Sequence, residues 1–115
     1  MSEAQEQIAV MRWAELQSHV YPELNLLFHI PNGSYKSKAQ AGLFKAMGLK
    51  SGVPDLFLPT PRKGYHGLFI EMKVKKGRTT QNQDEWIREF RYQGYKAEVA
   101  HGFDEAVEII KGYIT

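Results

Sequence analysis

Helical and strand-like spacings of apolar residues alternate along this chain. Ser2 stands three residues before Gln5, the spacing of a capping box, and opens a helix predicted to run to about Ser18, with Ile8, Met11, Trp13 and Leu16 among its apolar positions. NLLFHI at 25–30 reads as a short strand stopped by Pro31 and the turn pair Asn32-Gly33. KAQAGLFKAMG at 38–48 reads as a second, shorter helix ending at Gly48. DLFLP (55–59) and GLFIEMKV (67–74) are apolar runs of strand length joined by the turn-rich TPRKGYH. Thr80 and Gln83 repeat the capping-box spacing before a helix carrying Trp86, Ile87 and Phe90 and closed by Gly94. A strand, KAEVAH (96–101), follows. Asp104 is then the expected cap of a last helix with Ala106, Val107, Ile110, Tyr113 and Ile114 on one stripe.

The predicted order is α, β, α, β, β, α, β, α, an α/β chain without repeats, low-complexity tracts or a linker. At 115 residues and 43% hydrophobic, it has material for one core, so residues 1–115 are expected to be a single domain. Cysteine is absent, which removes disulfides, thiolate metal sites and cysteine nucleophiles. No apolar run has the length of a membrane span, and MSEAQEQ is acidic where a signal peptide is basic; the expectation is a soluble, cytoplasmic protein with no membrane partner.

Charge changes the picture through its distribution. The net charge is only +2, yet residues 36–78 carry ten Lys and Arg side chains against two acids, Asp55 and Glu71. Lysine and arginine that neutralise phosphates supply most of non-specific DNA affinity. Lys36, Lys38, Lys45, Lys75, Lys76 and Arg78, with Asn32 in the neighbouring turn, are therefore the expected DNA contacts.

The two acids sit where strands are predicted. Alternation along 68–74 puts Leu68, Ile70, Met72 and Val74 on one face and Phe69, Glu71 and Lys73 on the other. A buried charge needs a partner or a metal. Asp55, at the start of the preceding strand, brings a second carboxylate to the same place if the two strands pair. Close carboxylates repel, and a divalent cation relieves the repulsion; oxygen ligands favour Mg²⁺ or Mn²⁺.

Pro54-Asp55 followed by Glu71-Met72-Lys73 resembles the PD-(D/E)xK signature of the restriction-endonuclease-like nucleases. HIPNG (29–33), MGLKSGVPDLFL, GLFIEMKVKKGR and QNQDEW together resemble the virus-type replication-repair (VRR) nuclease domains, over nearly the whole chain. The resemblance implies a restriction-endonuclease-like α/β fold, a central mixed sheet flanked by helices, and a Mg²⁺- or Mn²⁺-dependent DNA endonuclease that uses no small-molecule cofactor. It implies that Asp55 and Glu71 ligate the metal with the Met72 carbonyl, and that Lys73 positions or activates the attacking water. Glu3 is the best match to a glutamate on the first helix, with Glu6 second. Gln83 matches the family's glutamine because it, rather than Gln81, shares the stripe of Trp86, Ile87 and Phe90. Stand-alone phage members resemble the dimeric junction resolvases. That implies a homodimer cutting branched DNA such as four-way junctions or flaps during repair, recombination or phage replication, with Leu43, Phe44 and Met47 of the short helix as the candidate interface.

Other readings of the same residues stand beside these. Glu3 is explained by the helix dipole alone, Gln83 by its capping box, and Asn32-Gly33 by a turn. His19, His29, His66 and His101 lack metal-ligand spacing and read as structural. The rival functions are a non-catalytic nucleic-acid-binding module of the same fold and a sequence-specific restriction-type nuclease.

Overall fold

The computed structural model describes residues 1–32 and 37–115. Gly33 of the predicted turn and Lys36 of the predicted DNA contacts lie outside the described residues. The chain runs α1 (Glu3–Gln17), a 3-10 turn (Pro22–Leu26), β1 (Phe28–His29), α2 (Lys38–Ala46), β2 (Leu56–Leu58), β3 (Leu68–Lys73), α3 (Gln81–Tyr92), β4 (Lys96–His101) and α4 (Phe103–Ile114).

Local chemistry accounts for several boundaries. Ser2 and Thr80 each form the full reciprocal capping box, with Gln5 and Gln83 as partners. Elsewhere the structure departs from expectation. The run 25–30 is not one strand: Pro22 starts a 3-10 turn, the Asn25 amide folds back on the Pro22 carbonyl at 3.1 Å, and only Phe28–His29 pair. Asp104 lies in the first turn of α4 and is not its cap. Gly102, at φ 97°, holds the cap position, and the carboxylate of Glu6 accepts the Phe103 N–H at 2.7 Å from across the molecule. A glycine takes that positive φ freely, and a distant acid replaces the local cap.

The four strands lie in the order β1-β2-β3-β4. β1, β2 and β3 are antiparallel neighbours, and β3 pairs in parallel with β4, the crossover between them being α3. A sheet covered on both faces explains why all six residues of β3 are buried. On one face Leu56, Leu58, Leu68, Ile70 and Met72 pack with Val10 and Ala14 of α1 and Ala106, Ile110 and Tyr113 of α4. Each fully buried aliphatic side chain of this kind contributes about 1.5–3 kcal/mol. The α1 stripe is narrower than its apolar content predicts, for Ile8 and Leu16 are 50% and 71% exposed. On the other face Phe69 stacks between Phe57 (4.3 Å) and Phe90 of α3 (3.9 Å), with Ile87 and Ala97 beside them. This second layer seats α3 over the end of β3, where the charged residues are.

Candidate active site

Register brings the acids together. Leu56 pairs with Ile70, so one step further Asp55 stands opposite Glu71. The Asp55 side chain reaches across to β3, where its Oδ2 accepts the Met72 N–H at 2.7 Å. Because a strand residue's N–H and C=O point to the same side, the Met72 carbonyl is directed to the β2 side of β3, the side from which Asp55 approaches. Glu71 is 2% exposed, and its Oε2 lies 3.6 Å from the ammonium of Lys73, a residue that is itself 8% exposed. Gln83, in the first turn of α3, donates from Nε2 to the same Oε2 at 3.4 Å while its Oε1 accepts the Thr80 N–H at 2.9 Å. The two readings of Gln83 are thus one arrangement: the capping box aims the amide at Glu71.

The electrostatics follow from this crowding. The Glu71 carboxyl is raised from the ordinary 4.5 to about 8, with burial the largest cause. The charge of Asp55 and a hydrogen bond with it push the same way, Lys73 pulls back, and Glu3 adds a smaller upward push. Glu3, exposed in the first turn of α1, therefore lies within electrostatic reach of Glu71. Glu6, the second match, is engaged elsewhere: its carboxylate accepts the Phe103 N–H at the start of α4.

Among the described residues no three His, Cys, Asp or Glu side chains form a metal-holding group by themselves. The donor set available is two carboxylates and the Met72 carbonyl. A buried Glu71 carboxylate beside the half-buried one of Asp55, offering only hard oxygen atoms, fits a Mg²⁺- or Mn²⁺-class cation whose remaining positions would hold water.

The approach to Asp55 is braced from both sides. From β1 and its exit, the Ile30 N–H and the His29 ring both meet the Asp55 carbonyl at 2.8 Å, and the Asn32 amide donates to the Val53 carbonyl at 3.0 Å. Asn32, expected to meet DNA, thus has a partner within the protein. From α3, the Asn82 amide and the Trp86 indole N–H both donate to the Ser51 carbonyl at 2.9 Å. Gly52, at φ 89°, lets this approach happen, since a Cβ there would sit 2.5 Å from the Asn82 amide. Neither His29, Asn82 nor Trp86 was marked for this work by residue type; only the quoted HIPNG and QNQDEW runs held the signal. Of the described basic residues expected at DNA, Lys38, Lys45, Lys75, Lys76 and Arg78 are all exposed.

The VRR-NUC domain family model matches residues 1–104. A solved structure described as a VRR_NUC domain protein superposes with a TM-score of 0.86 at 35% sequence identity, covering 99% of this chain and 88% of that one. A comparison with curated proteins finds no match. The match over residues 1–104, the fold and the shared identity converge on one assignment: the chain belongs to the VRR-NUC nuclease family.

Proposed function

We propose that residues 1–115 act as one metal-dependent endodeoxyribonuclease domain that hydrolyses phosphodiester bonds in branched DNA. The observation that carries the reading is the meeting of Asp55, Glu71, Lys73 and Gln83 at the covered end of β3. Asp55, Glu71 and the Met72 carbonyl would hold Mg²⁺ or Mn²⁺, with Glu3 adding negative charge from α1. Bound there, such a cation supplies Lewis-acid stabilisation of charge on the scissile phosphate and eases deprotonation of water. The residues do the rest. Lys73, with little water around it, orients the attacking water and places a fixed positive charge beside the developing oxyanion, where low solvent exposure strengthens its effect. Gln83 holds the Glu71 carboxylate in one orientation and offers the remaining amide hydrogen to the nucleophile. Exposed Lys75, Lys76 and Arg78, just past β3, and Lys38 and Lys45 on α2 neutralise the backbone on either side. In-line attack leaves a 5′-phosphate and a 3′-hydroxyl.

Selectivity for branched DNA goes with a homodimer, because cutting two strands symmetrically needs two sites related by a two-fold axis. Support comes from α2, none of whose residues is buried: Leu43 on it is 58% exposed and Met47, at its C-cap, 72%. The test is to incubate the protein with Mg²⁺ or Mn²⁺ and with four-way, flapped and linear DNA of matched sequence and salt, and to sediment it with and without DNA. Metal-dependent cutting that favours the branched forms, by a species of twice the mass, is expected. No cutting with either metal refutes the enzyme; equal cutting of linear duplex, or a 13.2 kDa monomer throughout, refutes the selectivity or the dimer.

A further inference from the structure

His29 stands outside the acid–lysine cluster, yet it touches two of the elements that build it. Its Nδ1 lies 2.8 Å from the Asp55 carbonyl oxygen and 3.0 Å from the Gln7 side-chain amide. A carbonyl oxygen only accepts, so Nδ1 carries the hydrogen and donates. The structure sets the Gln7 Nε2, also a donor, against the same nitrogen; a half-turn of the amide, which exchanges its nitrogen and oxygen and leaves its shape unchanged, gives the Nδ1 hydrogen a second acceptor on α1.

We infer that His29 is a positioning residue for the metal site, tying α1 to the backbone of Asp55; this rests on the reading of Asp55 as a metal ligand. Gln7 lies four residues after Glu3, hence on the same face of α1 one turn along, so the His29 link fixes the end of α1 that carries Glu3. On the other side it acts with the Ile30 N–H on the Asp55 carbonyl, while Asn32 holds the Val53 carbonyl. Pro54 lies between these two anchored carbonyls with its own φ locked by the ring. Three donors within 29–32 thus hold Val53-Pro54-Asp55 in the conformation that aims the Asp55 carboxylate at the Met72 N–H. Losing one donor leaves Asp55 free to rotate out of line with Glu71, which weakens cation binding without touching the cation itself. His29 is exposed, so truncating it opens no cavity in the core.

The test is a Mn²⁺ titration of the full chain, followed by the electron paramagnetic resonance of free Mn²⁺, on wild type, Asp55→Asn, His29→Ala, His29→Asn and His29→Gln. Partners that orient a ligand are commonly worth tenfold or more in metal affinity, so His29→Ala is expected to raise the Mn²⁺ dissociation constant about tenfold. His29→Asn, whose amide nitrogen falls near Nδ1, is expected to return within about threefold of wild type, and His29→Gln, whose amide nitrogen falls near Nε2, to remain with alanine. Wild-type affinity in His29→Ala overturns the inference, as does rescue by glutamine but not asparagine, which assigns the role to Nε2. The asparagine–glutamine comparison decides the matter even if the alanine variant is poorly folded. Asp55→Asn separates the two levels: if it binds Mn²⁺ like wild type, the metal reading itself falls and the positioning role with it; if only Asp55→Asn loses binding, the metal reading stands and His29 is dismissed.

Discussion

Glu71→Gln is expected to make the metal-free protein more stable at alkaline pH while abolishing its activity. The substitution keeps the shape of the side chain and one oxygen acceptor for Gln83 and Lys73 but removes the buried charge. In wild type the unfolded carboxyl ionises near 4.5, whereas the folded one keeps its proton until about 8, chiefly because burial disfavours its charge. Between those values the unfolded state binds fewer protons, so stability falls as pH rises; below 4.5 the penalty is absent and above 8 it is complete. At about 1.4 kcal/mol per pH unit, the gap between 4.5 and about 8 sets a ceiling of about 5 kcal/mol. Water entering the cleft and the nearby Lys73 charge reduce this, and we expect about 1–3 kcal/mol. For a chain of this size, that is roughly 4–10 °C in melting temperature. The assay is thermal unfolding in EDTA at pH 5 and pH 8.5, read as variant minus wild type so that other titrating groups cancel. The difference should be small at pH 5 and clearly positive at pH 8.5. A pH-independent difference, or a variant less stable than wild type at pH 8.5, refutes the reasoning.

Lys73→Ala should reduce cleavage by on the order of a hundredfold while leaving DNA binding nearly intact, since the role proposed for its ammonium is at the reacting centre; single-turnover cutting beside a binding titration checks both halves. Asp55→Asn should lose the rise in melting temperature that Mg²⁺ or Mn²⁺ gives a protein binding it only when folded, and an unchanged rise would move the metal elsewhere. Glu6→Ala should destabilise the protein by about 1 kcal/mol through the start of α4 without altering Mn²⁺ affinity; a change in affinity would return Glu6 to the metal site. Lys75→Ala and Lys76→Ala should weaken DNA binding and lower the salt slope by about one each, and an unchanged slope would take the DNA path away from that loop.

What the sequence determined by itself is what short-range chemistry dictates. Ser2 with Gln5 and Thr80 with Gln83 satisfy backbone donors three residues away, so both helix starts were readable without knowing the fold. The period-two pattern of 68–73 correctly divided Leu68, Ile70 and Met72 from Phe69. Because Glu71 and Lys73 are two apart on that strand, their sharing a face was also legible. The tertiary structure decided everything that depends on partners far along the chain. The apolar run at 25–30 had strand composition, but pairing with β2 reaches only Phe28 and His29, and Pro22 turns the rest. Asp104 had the right type for a cap, yet Glu6 reaches the first free N–H from 97 residues away. Ile8 and Leu16 had the right type for a core, but the sheet and α4 cover only the stripe of Val10 and Ala14. Within the site, sequence named Asp55 and Glu71, while the β2–β3 register set them opposite each other and burial raised the Glu71 carboxyl. The clamp of His29 on Asp55 spans 26 residues and a backbone carbonyl, and a backbone acceptor leaves no mark in residue identity.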